Sequence, residues 1–76
     1  MVRRESFFNK IRELGYSYKD QRPRITLWRK GVHFISVPRR DLLTDEFVSN
    51  SLRQAGCNEE EIQSFYRSAR LSDPHL

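Results

Sequence analysis

The hydrophobic rhythm of this chain changes twice, and those two changes restrict its fold more than any other feature. Phe7, Phe8, Ile11 and Leu14 recur at helical spacing and leave Asn9, Lys10, Arg12 and Glu13 for solvent, which predicts a helix over residues 6–14. Ser6 stands where a hydroxyl caps the start, and Gly15 where a left-handed residue ends the helix. After Gly15 the period falls to two, as Tyr16 and Tyr18 alternate with Ser17 and Lys19 in a first strand. Residues 20–24 read as a turn built on Pro23. A second strand over 25–29 sets Ile25 and Leu27 on one face and Thr26 and Trp28 on the other. Lys30-Gly31 predicts a tight hairpin turn, because Gly31 accepts positive φ without a steric penalty. The third strand, 32–37, sets His33, Ile35 and Val37 on one face and Val32, Phe34 and Ser36 on the other, and Pro38 ends it.

The second change restores the helical period. Residues 39–43 form a loop, Thr44 caps a helix with Asp45 and Glu46 in its first turn, and Phe47, Val48, Leu52 and Ala55 make its buried stripe up to Gly56. Asn58 and Glu61 are spaced for a capping box that opens a further helix with Ile62, Phe65, Tyr66 and Ala69 on its apolar side. Helix, three strands, helix, helix is an α+β order. A three-stranded antiparallel sheet with all helices on one face is the economical arrangement, since it buries every amphipathic stripe together and leaves the other sheet face wet. One domain over residues 1–71 is expected, with 72–76 as a flexible C-terminal tail.

Charge narrows the classes of partner. Between positions 19 and 40, Lys19, Arg22, Arg24, Arg29, Lys30, Arg39 and Arg40 face only the carboxylate of Asp20, a local balance of +6 against +4 for the whole chain. The acids collect later, at Asp45, Glu46, Glu59, Glu60 and Glu61. A positive central region suits phosphates, and it equally suits a solvated strand surface or an acidic protein. No run approaches the roughly 18 apolar residues of a membrane span, and the first residues lack the apolar stretch of a signal peptide, so a cytoplasmic location without membrane association is expected. Cys57 is the only cysteine, which fits a reducing compartment and a structural role. Asp20 and Asp41 have no companions at ligand spacing, and there is no zinc signature or Gly-rich phosphate loop, so neither a metal nor a small-molecule cofactor is expected.

Three blocks of sequence resemble the HicA-type toxins, small messenger-RNA interferases of bacterial toxin-antitoxin pairs with a fold like that of double-stranded-RNA-binding domains. Phe8-Asn9-Lys10-Ile11-Arg12-Glu13-Leu14-Gly15-Tyr16 is similar to the family's first helix and its Gly-aromatic exit. Ile35-Ser36-Val37-Pro38-Arg39 is similar to its Val-Thr-Val-Pro strand, and Ser51-Leu52-Arg53-Gln54-Ala55-Gly56 to its Leu-Arg-Gln-Ala-Gly segment. The resemblance implies an RNA-directed protein, an endoribonuclease activity, and an acidic antitoxin as partner. It also implies a catalytic histidine in a Gly-Ser-His element at the start of the second strand, where this chain has Pro23-Arg24-Ile25; the histidine position is occupied by Ile25. Gly31-Val32-His33 imitates that element one strand later.

Metal-free RNA cleavage requires a base for the 2′-hydroxyl, an acid for the leaving oxygen and positive charge for the transition state. His33, the only histidine outside the tail, is the conventional catalytic candidate, with Tyr16, Tyr18 or Lys19 as assistants; its parity with Ile35 and Val37 equally suits a structural place near the covered face. Binding has more support. Lys19, Arg22, Arg24, Trp28, Arg29, Lys30, Arg39 and Arg40 form the expected nucleic-acid-binding set, with Trp28 either stacking a base or packing at the edge of the core. Arg39 and Arg40, in a loop expected to be free of packing duties, are the first choice for phosphate contact. The readings are therefore an RNA-binding protein with weak or absent ribonuclease activity, or a non-catalytic module for an acidic partner. An enzyme of another class has no constellation to support it.

Overall fold

Eight elements follow one another: β1 (Val2–Arg3), α1 (Arg4–Glu13), β2 (Ser17–Gln21), β3 (Ile25–Lys30), β4 (His33–Pro38), β5 (Leu42–Leu43), α2 (Asp45–Gln54) and α3 (Glu59–Leu71). They come from a computed structural model that describes residues 1–71. The tail expected over 72–76 lies outside the described residues. β2, β3 and β4 form an antiparallel sheet with β3 central. Trp28, Ile35 and Val37 project from one face into a core shared with Phe7 and Ile11 of α1, Val48 and Leu52 of α2, and Ile62 and Phe65 of α3. The α+β layout expected from the periodicity is therefore the one found, with every helix on the same side of the sheet.

Helix ends are where local chemistry is most legible. Gly15 and Gly56 hold φ of 102° and 99°, each just past a helix. At the first, Gly15 N–H donates to the Arg12 carbonyl and Tyr16 N–H to that of Ile11; at the second, Gly56 donates to Arg53 and Cys57 to Leu52. This double bond pattern closes a helix and turns the next residue inward, and Tyr16 and Cys57 are both buried. Thr44 Oγ1 accepts from Phe47 N–H, and Asn58 and Glu61 exchange side-chain-to-backbone bonds of 2.8 and 2.9 Å, a complete capping box.

Three expectations are corrected. α1 begins at Arg4, and its start has no side-chain cap, so Ser6 lies inside the helix. The reason is tertiary: β1 pairs with β5 (Val2 with Leu43, Arg3 with Leu42), and Arg4 N–H donates to the Asp41 carbonyl, which satisfies a helix-start donor that a hydroxyl would otherwise take. The last part of the expected 39–43 loop is consequently a strand. Likewise the first sheet strand runs through Asp20 to Gln21, passing a bulge between Tyr18 and Asp20, and the turn narrows to Pro23-Arg24, closed by Arg22 N–H on the Ile25 carbonyl.

Candidate nucleic-acid interface

The turn between β2 and β3 leaves three consecutive carbonyls, of residues 22, 23 and 24, without a partner in its own hairpin. Arg39 takes all three. Its Nη1 donates to the carbonyls of Arg22 and Pro23 at 3.2 Å each, and its backbone N–H donates to that of Arg24 at 3.1 Å. Arg39 therefore has a packing duty, contrary to the expectation from its loop position, and that duty gathers Arg22, Arg24, Arg39 and Arg40 at one end of the sheet, all exposed. Arg22 spends part of its charge on Asp20 at 3.5 Å. Asp41, the other nearby acid in sequence, pairs with Arg4 at 3.5 Å. Among the described residues no carboxylate of α2 or α3 pairs with a cation of this middle stretch: Asp45 meets the N-terminal amine, and Glu59 meets Arg53 at 2.6 Å.

The remaining members of the expected set lie elsewhere. Lys19 is exposed on the edge strand β2, at its bulge. Arg29 pairs across the sheet with Ser17 and Phe34, on the face without helices. Lys30 bends to the opposite, helix-covered side, with Nζ 6.0 Å from the centre of the Tyr16 ring and its stem against Gly15. Trp28 is a core residue, 1% exposed, tilted against Phe8 at 4.8 Å, edge-on to Tyr18 at 5.8 Å and covered by the Arg12 guanidinium at 5.1 Å. A ring enclosed on this scale has no face to stack on a base. Its truncation to alanine belongs with core deletions that cost about 3–5 kcal/mol. Arg12, read as an ordinary solvent-facing helix residue, thus lies over the Trp28 ring, as Lys30 lies over that of Tyr16.

His33 is exposed, opposite Lys30 in the hairpin, and among the described residues no hydrogen bond orients its imidazole. It stands at the far end of β4 from Pro38, five residue steps or roughly 17 Å of strand away, and Arg39 lies one residue further on. A general base must come within about 3 Å of its proton. A phosphate held by the arginine end is out of reach of His33. Ile25, at the position the resemblance gives to a histidine, is paired with Pro38 and sits beside the arginines.

Next to Arg40 lies a depression of about 280 Å³ floored by Pro38, Leu43 and Phe47. A larger groove of about 310 Å³ separates Asn9 and Lys10 of α1 from Ser64 and Ser68 of α3, and it contains none of the basic stretch. Cys57 is buried at the exit of α2, where burial first and Glu61 second push its thiol up, against a smaller opposing effect of Lys10. That is the setting of an unreactive structural thiol. Among the described residues no three His, Cys, Asp or Glu side chains converge to hold a metal ion, and no helix is long and apolar enough to cross a membrane. Phe34, unremarked in the sequence, is 51% exposed on the sheet's open face, where its parity with Ser36 already placed it. Compared with family models, curated proteins and solved structures, the chain matches none.

Proposed function

We propose that this protein binds RNA through the arginine end of its sheet, in the manner of a HicA-like protein whose ribonuclease activity is weak or absent. The observation that carries the reading is the convergence of Arg22, Arg24, Arg39 and Arg40 around one turn, unopposed by the acidic helices. Guanidinium groups grip phosphate oxygens by paired hydrogen bonds, and a turn clamped by Arg39 holds them in place before the ligand arrives. The apolar depression beside Arg40 offers room for a base or ribose next to that charge. The distance of His33 from the arginines supports binding over cleavage.

Arg24→Ala and Arg40→Ala test this, because among the described residues neither side chain makes a hydrogen bond that holds the fold. Each is expected to weaken binding of a labelled single-stranded RNA and to lower the slope of log affinity against log salt by about 0.7 for each phosphate that is no longer neutralised. His33→Ala is expected to leave any RNA turnover unchanged. Affinity and slope equal to those of the parent in both arginine variants sink the proposal, as does turnover that depends on His33 in highly purified protein.

A further inference from the structure

The bulge in β2 decides which side chains share the sheet's open face. By setting both Lys19 and Asp20 opposite Leu27, it keeps Tyr18 with Trp28 on the covered side and Ser17 with Arg29 on the open one. Three rows then cross the open face: Ser17, Arg29 and Phe34 near the hairpin, Lys19, Asp20, Leu27 and Ser36 in the middle, and Ile25 and Pro38 beside the turn that carries the arginines. Leu27 is only 9% exposed although it stands outside the core cluster, so its neighbours on this face close around it. Phe34, diagonal to Leu27, does the opposite: among the described residues it is the large apolar side chain that this face leaves exposed. The bond from Arg39 N–H to the Arg24 carbonyl fixes the phase of the ladder, and counted from there Arg29 and Phe34 form a non-hydrogen-bonded pair, the kind whose side chains lie closer together. Among the described residues neither Lys19 nor Arg29 has an ion pair or a side-chain hydrogen bond, and the carboxylate of Asp20 is taken by Arg22 at 3.5 Å.

From this arrangement we propose that the open face of the sheet is a platform for unpaired RNA, on which Phe34 stacks a base while Arg29 and Lys19 hold the backbone that runs on to the arginine end. The inference rests on the RNA reading above and lengthens that site by about 13 Å, the four strand steps from Pro38 back to Phe34. Charge selects a polyanion: Lys19 and Arg29 are unopposed, and the acid beside them already has its partner. The protruding ring selects among polyanions. A base presents its flat face to an aromatic side chain only when it is unstacked, and such contacts add affinity whatever the base. In a duplex the bases stack on one another, and a protein meets mostly ribose and phosphate. An acidic protein answers the charge but has no need of the ring, and it is the competitor in the test.

The probes are a single-stranded oligouridine of about ten nucleotides, an RNA duplex of the same length, and an oligoglutamate of equal charge. On adding the oligouridine, the ring protons of Phe34 are expected to shift upfield in NMR spectra, as stacking under a base requires. Phe34→Ala and Phe34→Leu are each expected to weaken oligouridine binding by about tenfold at an unchanged salt slope, and Phe34→Tyr to retain it. Arg29→Gln is expected to lower the slope of log affinity against log salt by about 0.7. Should Phe34→Ala fail to fold, Phe34→Leu decides, because it keeps the apolar bulk and lacks only the ring. Parent affinity in Phe34→Leu, while Arg24→Ala and Arg40→Ala weaken binding, overturns this inference and leaves the RNA reading standing. Absence of binding to any RNA overturns both. Duplex that binds as tightly as the single strand also overturns the inference, and so does oligoglutamate that binds as tightly, which identifies the occupant as an acidic protein.

Discussion

Removing the Arg39 side chain separates its structural work from its charge. Arg39→Ala deletes two hydrogen bonds to the carbonyls of Arg22 and Pro23, both at 3.2 Å and both on an exposed side chain. That distance is at the long end for N–H to O, and water replaces part of what is removed, so each bond merits the lower part of the usual net range, about 0.5–1 kcal/mol, or about 1–2 kcal/mol together. In a domain of this size a kilocalorie moves the melting temperature by about 4–8 °C, so the variant is expected to melt roughly 4–16 °C below the parent. Arg40→Ala is the matched control: it removes the same charge from the same end of the sheet, but its side chain makes no such bond and its loss leaves the turn intact. Thermal melts followed by circular dichroism compare the two. Amide exchange at Arg22, whose N–H closes the turn on the Ile25 carbonyl, reports the local loosening. If Arg39→Ala and Arg40→Ala melt together, the clamp contributes nothing and the turn is held by its backbone alone.

Tyr66 joins the second and third helices, its hydroxyl donating to the Asp45 carbonyl at 2.9 Å and sharing a 2.6 Å bond with Ser49 Oγ. Tyr66→Phe is expected to cost about 1–2 kcal/mol, seen as a lower urea midpoint at unchanged slope, and an unchanged midpoint refutes it. The hydrogen bond from Arg53, and then its charge, hold the Glu59 carboxyl below its usual range. A carboxyl depressed by folding adds stability above its unfolded pKa and loses it as pH falls through the lower folded one. The melting-temperature advantage of the parent over Glu59→Gln is therefore expected to be small, since the pair is exposed, full at neutral pH, and gone under strongly acidic conditions. An advantage that persists there contradicts the pairing.

How much of the fold and site is legible along the chain depends on the range of the interaction. The caps at Thr44 and Asn58, the glycine exits at Gly15 and Gly56, and the face parity of β3 and β4 each depend on residues a few positions apart, and all are readable in order along the chain. Trp28 is not: parity places it with Thr26 but does not say whether that face is covered, and only the arrival of α1, with Phe8 and Arg12, buries it. The duty of Arg39 is hidden for the same reason, because its partners lie 16 and 17 residues earlier in the chain. The ribbon of β1 and β5 is too short to show periodicity, and it exists because Val2 and Leu43 share the core with the helices.

The sequence by itself therefore determined the three helices, the three strands of the main sheet, their order and which residues face alike, since those follow from side-chain period, capping and the φ that glycine permits. It also determined that positive charge concentrates between residues 19 and 40. Only the tertiary structure decided where that charge goes. Packing carries Lys30 to the helix-covered side, leaves Arg29 on the open face and draws Arg22, Arg24, Arg39 and Arg40 together, because carbonyls exposed by one turn find their donor at the end of another strand.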